Sequence, residues 1–214
     1  NSGIMMQGTI QTFNNSGTIK GNNNHGIQTP GKITIDTLNN SGLILGNGSY
    51  SGAIIIGNWE NSMSVNTIKN SGTLMGVSGI ATLYTTINLI QNTGTIISTK
   101  HQVGAGGTAG IQLHSSNIGT VINSGYIKSE STYGIELITY TGNTTLNNLI
   151  NSGTIEGDLD GLFITQGTSI KTIENTGVIK GGNAGINVDF KSWNTKKNGT
   201  IGTIVNKDSG EIVG

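Results

Sequence analysis

Cysteine and arginine are absent from the 214-residue chain, proline occurs once, and aromatic and charged residues contribute 5% and 10% of it. Each shortage removes a class of explanation. Without cysteine, no disulfide staples the fold and no thiolate acts as nucleophile or metal ligand. Such a chain also suits passage across a membrane before folding. Without arginine, the usual bidentate reader of phosphate and carboxylate is missing, and eleven lysines balance eleven acidic residues, which disfavours nucleic acid as a partner. No run of about 18 apolar residues could span a bilayer as a helix, and no charged-then-apolar signal segment opens the chain. Helix formers are scarce, and no segment sustains an apolar period of about 3.6, so long helices are not expected.

What is abundant is a repeat. Asn15-Ser16-Gly17-Thr18-Ile19-Lys20-Gly21 returns as Asn151-Ser152-Gly153-Thr154-Ile155-Glu156-Gly157 and as Asn175-Thr176-Gly177-Val178-Ile179-Lys180-Gly181. Degenerate copies start at Asn40, Asn70, Asn92 and Asn123, a partial copy at Asn1, and a last one at Asp208. From Asn15 the starts are 25, 30, 22, 31, 28, 24 and 33 residues apart, a period of solenoids, whose units bury their apolar faces by stacking on neighbours.

Three short strand signals recur in fixed order within each repeat. One precedes the Asn, as in Ile33 to Leu38; one follows the Gly, as in Thr154-Ile155; the third opens with Gly and alternates, as in Gly134-Ile135-Glu136-Leu137. Strands this short can pair only with their counterparts in the next coil. The expected fold is all-β: one right-handed parallel β-helix over residues 1–214, with three strands per coil and about seven to eight coils. Asn-Ser-Gly reads as the tight turn between two strands, since Asn and Ser bond nearby backbone and Gly accepts a positive φ. Stacked asparagines at Asn15, Asn40, Asn70, Asn92, Asn123, Asn151 and Asn175 are expected to form an internal amide ladder. Length variation then falls on the other two corners, for example Thr99 to Ala109 and Phe190 to Gly199.

Candidate chemistry is sparse. Asp158 and Asp160 form the best carboxylate pair, but the aligned positions one coil later are Gly182 and Ala184, and the pair reads as a solvated turn. His25, His101 and His114 fall in different coils without metal-ligand spacing and read as surface residues. The glycine-rich stretch from Gly104 to Gly110 lacks the Lys-Ser/Thr of a phosphate loop and reads as a loop tip. No catalytic residue, metal or cofactor is assigned. Trp59, Tyr84, Tyr140 and Trp193 all lie in the corner after the third strand, where exposed rings can anchor a partner. Lys191, Lys196 and Lys197 add a small basic cluster beside Trp193.

The Asn-Ser-Gly-Thr-Ile-x-Gly units and the Ile-x-Asn-x-Gly-x-Ile spacing, which cover essentially the whole chain, resemble the β-helical passenger domains of bacterial autotransporters of type V secretion. The similarity is to adhesin-like and vacuolating-cytotoxin-like passengers. It implies a non-enzymatic virulence-type rod, at the cell surface or secreted, that binds a host-cell protein, a glycan or its own copies. The only membrane contact would be a C-terminal outer-membrane barrel elsewhere in the parent. On this resemblance the chain is expected to be a fragment of a longer passenger. Two other classes stay open: a carbohydrate-active β-helix enzyme, and the β-helix of a pore-forming or vacuolating toxin.

Overall fold

The computed structural model describes residues 1–58, 63–99, 108–165, 167–188 and 198–214. Among them there is no helix, and the strands build three eight-stranded parallel sheets. Sheet A contains Ile4–Met5, Ile27–Thr29, Gly52–Gly57, Ser78–Leu83, Ala109–His114, Tyr133–Ile138, Asp160–Ile164 and Ala184–Val188. Sheet B runs from Gly8–Asn15 to Thr200–Asn206, and sheet C from Thr18–Asn22 to Glu211–Val213. The chain visits A, B and C in turn, and each strand pairs with its counterparts one coil before and after. The result is a parallel β-helix of three strands per coil, about 34 Å long at about 4.8 Å per step.

Inward side chains stack into ladders because every coil presents the same position to the axis. In sheet A, Ile80 lies between Ile54 and Ile111; in sheet C, Leu74 lies between Ile44 and Ile96; all are fully buried. Sheet B does not alternate strictly. In Ile33–Asn40 the inward residues are Ile33, Ile35, Leu38 and Asn40, with the exposed Asp36 and half-buried Thr37 between the two pairs. Two successive residues off the core leave inward residues in both halves of the strand.

The Asn-Ser-Gly corner joins sheet B to sheet C. Its asparagines form the expected ladder: Nδ2 of Asn15 donates to Oδ1 of Asn40 at 2.8 Å, and the same 2.8 Å bond repeats through Asn70, Asn92, Asn123, Asn151 and Asn175. One rung was not expected. Asn175 donates at 2.8 Å to Asn206, so the last copy starts at Asn206 rather than Asp208, with two extra residues in its turn. The opening Asn1-Ser2-Gly3 is likewise not a copy of this turn, because Ile4 pairs with Ile27 in sheet A and Gly3 donates to the His25 carbonyl. The glycine of the turn also has a different cause from the one expected. Positive φ among glycines is confined to Gly8, Gly57, Gly142 and Gly167 among the described residues. A Cβ on Gly42, Gly72, Gly94, Gly125, Gly153 or Gly177 would instead lie 2.0–2.2 Å from the carbonyl oxygen of the turn glycine one coil earlier. Glycine is required there because coils touch backbone to backbone.

Candidate binding face on sheet A

Both remaining corners, C-to-A and A-to-B, border sheet A, so the described segments of variable length, such as 130–132 and 139–143, lie at the edges of one face. Trp59, Trp193, Lys191, Lys196 and Lys197, together with His101 and most of the glycine-rich stretch, lie outside the described residues. Tyr84 and Tyr140 are described, and the structure brings them to one place. Tyr84 follows the sheet A strand Ser78–Leu83 in a left-handed conformation, φ 50°, and Ser115, its counterpart one coil on, has φ 47°. Left-handed backbone at residues other than glycine carries strain that the surrounding fold must hold. The Tyr84 hydroxyl shares a hydrogen bond with the Thr141 hydroxyl, two coils away. Next to Thr141, the Tyr140 ring, 66% exposed, stands edge-on to His114 with ring centroids 4.6 Å apart.

His114 is therefore not the surface residue it was expected to be. It is buried, and burial lowers its imidazole to about 4, so the ring is neutral at pH 7. His25 is half-buried; its Nδ1 accepts a bond from the Gly52 N–H at 3.1 Å, and burial lowers its pKa as well. The carboxylate pair also separates. Asp158 is exposed, whereas Asp160 opens a sheet A strand, is buried, and accepts from Asn187 Nδ2 at 3.1 Å through Oδ2. Asp160 thus corrects the reading of a solvated turn, since the strand begins two residues after Asp158. No group of three or more His, Asp or Glu residues converges among the described residues.

The outward row in the middle of sheet A was not singled out from sequence. It runs in register through Gln28, Ile55, Ala81, Gln112, Glu136, Phe163 and Asn187. Glu136 is 4% exposed; burial pushes its carboxyl up to about 7, although the bond it accepts from Gln112 Nε2 at 2.8 Å pulls the other way. Phe163, one coil on, is covered by Tyr133, whose ring stacks on it at 4.1 Å. Between Tyr50 and His114, over Ile55, Ala81 and Gln112, lies a cleft of about 240 Å³. Alternation did mark these residues as outward. Burial of an outward row depends on what packs over it, and that is not written in the strand itself.

Sheet C differs in its outer chemistry. Glu156 sits 3.7 Å from Lys128 and 3.0 Å from Lys180, and the Tyr126 hydroxyl donates to it at 2.6 Å. Burial alone would raise this carboxyl, but Tyr126 and the two lysines hold it below its usual range. Sheet C thus carries a charge network, while the described residues lining the sheet A cleft include no Lys, Asp or Glu. Searches of family models, curated proteins and solved structures find no match to this chain.

Proposed function

We propose that the chain is a binding rod: a β-helical segment of a bacterial autotransporter passenger, extracellular or at the cell surface, that acts as an adhesin or surface scaffold toward host cells or other bacteria. The observation that carries this reading is the placing of both variable corners beside one sheet, opposite a corner kept uniform by the asparagine ladder. Insertions gathered on one face of a solenoid often mark its binding side. The repeat units and the lack of cysteine support the secretion route. The test is adherence of the fluorescently labelled chain to epithelial cells, to Gram-negative bacteria and to surfaces coated with itself. Saturable binding to any of these supports the rod as an adhesin, and binding to none removes that function.

A second reading, a carbohydrate-active enzyme, is favoured by Glu136, whose carboxyl is held protonated close to neutrality as a general acid requires. Release of new reducing ends from a neutral or acidic polysaccharide, lost in Glu136→Gln, would support it. The deep burial of Glu136 argues for the binding role, because a general acid must reach the bond it cleaves.

A further inference from the structure

We propose that the cleft over Ile55, Ala81 and Gln112 is a binding site for a short, neutral, unbranched oligosaccharide segment lying along the rod axis. This deepens the adhesive reading and rests on it for its biological setting, although the site can be tested without it.

The floor is made by three successive coils. Ile55, Ala81 and Gln112 are in register, one above the next, so the cleft runs parallel to the axis for about 10 Å at about 4.8 Å per coil. Ile55 and Ala81 give a low apolar floor on which the C–H face of a pyranose ring can lie. Tyr50, 74% exposed, stands at its side as the aromatic wall against which a sugar ring stacks. Polar groups sit at the two ends. Gln112 spends one amide hydrogen on Glu136 at 2.8 Å, which fixes the amide and leaves its second hydrogen and Oε1 for a ligand. Because Nδ1 of His25 accepts the Gly52 N–H, its neutral ring carries the proton on Nε2, a second donor. An apolar floor with a few fixed donors and acceptors is the usual makeup of a small-ligand site.

Charge selects among ligands. The described lining residues include no Lys, Asp or Glu, and both imidazoles are held neutral by burial, so no described lining group offsets the desolvation of a uronate, sulfate or phosphate. An extended peptide is also a poor occupant. The strands beneath the cleft already pair on both sides, so no open edge is offered to peptide N–H and C=O groups. A neutral glycan needs no such edge.

The test is calorimetric or NMR titration of the chain with neutral gluco-, galacto- and manno-oligosaccharides of two to four sugars, with matching uronides, and with an unrelated neutral peptide. Saturable binding of at least one neutral sugar at about millimolar concentration or tighter, insensitive to salt, is expected. Tyr50→Ala should weaken it about tenfold, and Ala81→Trp, which fills the cleft from an outward position, should abolish it while the thermal midpoint holds. Absence of binding up to about 10 mM overturns the site. So does binding of uronides alone, of the peptide alone, or of sugars that Ala81→Trp leaves unchanged. Adherence measured on the same variants separates the two readings. Cell binding that survives both Ala81→Trp and glycosidase treatment of the cells leaves the adhesin standing even where the titration has overturned the glycan site. Sugar binding without adherence to any surface does the reverse.

Discussion

The B-to-C corner and the two corners beside sheet A are built from similar residues, Asn, Ser, Gly and Thr, yet they obey different rules. At the B-to-C corner every position is fixed by a neighbour one coil away. The asparagine amide bonds the next asparagine, and the glycine lies against the previous glycine's carbonyl. At the A-to-B corner a hydroxyl at one register position bonds a carbonyl of its own coil, and the carbonyl differs from coil to coil: Thr85 Oγ1 reaches Leu83 at 3.0 Å, and also Ile56 of the previous coil at 3.1 Å, Ser116 Oγ reaches His114 at 2.7 Å, and Thr144 Oγ1 reaches Ile138 at 2.6 Å. Repetition in the sequence therefore marks where coils constrain one another. Variation marks where a corner is held by an internal hydroxyl and by contacts that differ from coil to coil, and is otherwise open to use.

The contrast is broken most severely at the core ladder beside the uniform corner. Ile155 is fully buried between Ile127 and Ile179. Ile155→Asp places a carboxyl with no partner in that stack and should cost about 5 kcal/mol or more. The thermal midpoint by circular dichroism should fall sharply, with loss of structure spreading from that coil. An unchanged midpoint would place Ile155 outside the core.

A glycine pair sharpens the same comparison. In Gly125→Ala the new Cβ meets the Gly94 carbonyl oxygen at 2.1 Å, backbone against backbone, which only a separation of coils can relieve. A loss of about 3–5 kcal/mol is expected. Gly142 lies in the A-to-B corner with φ +79° and open space around it, so Gly142→Ala carries conformational strain alone, about 1–2 kcal/mol. Urea unfolding of both variants checks the ranking. A larger loss in Gly142→Ala would contradict coil-to-coil contact as the reason for the repeated glycine.

These two regions were not equally legible in the sequence. The three-strand coil, the inward isoleucines and the ladder from Asn15 to Asn175 were readable, because stacking forces like residues into like positions. The eighth rung, Asn206, was hidden because Lys207 and Asp208 lengthen its turn, while Asp208-Ser209-Gly210 imitates the motif. Asn1-Ser2-Gly3 misled in the opposite way, since a glycine opening a sheet A strand is also a close-contact glycine, with Gly26 O only 2.8 Å from a Cβ on Gly3. On the candidate face, Tyr84 and Tyr140 were found by their shared corner. His114, Gln112 and Glu136 were missed because their roles depend on burial over the outer surface of sheet A.

That burial predicts a pH dependence of opposite sign for two nearby groups. The folded pKa of Glu136, about 7, lies above its ordinary 4.5, so the folded state binds the extra proton between these values. Its contribution is fully present below about 4.5 and is lost as pH rises through about 7, by on the order of 3 kcal/mol. His114, lowered from 6.5 to about 4, contributes stability that is present above 6.5 and lost as pH falls through about 4. The two slopes oppose each other between about 4.5 and 6.5, so the melting midpoint should be nearly level there and fall on either side. Glu136→Gln, which remains neutral, should remove the alkaline fall and abolish the level stretch, so that the acid fall begins near 6.5. Persistence of the alkaline fall would assign it to another group.

The smallest effect on stability is expected at the ring that most clearly belongs to the open corner. Tyr140 is 66% exposed and meets His114 edge-on, so Tyr140→Ala removes little buried area and should change the unfolding free energy by about 1 kcal/mol or less. Its effect on His114 should be easier to see. The imidazole is held near 4 by desolvation, and taking away a ring 4.6 Å from it admits water to that side. The His114 pKa should then rise from about 4 toward 6.5, moving its acid transition upward in an NMR titration of the imidazole nitrogens. The direction follows from burial being the cause of the lowering, since better hydration favours the charged form. An unmoved titration would mean that the covering of His114 comes from elsewhere on sheet A, and that Tyr140 is a surface ring resting on a site it does not help to enclose.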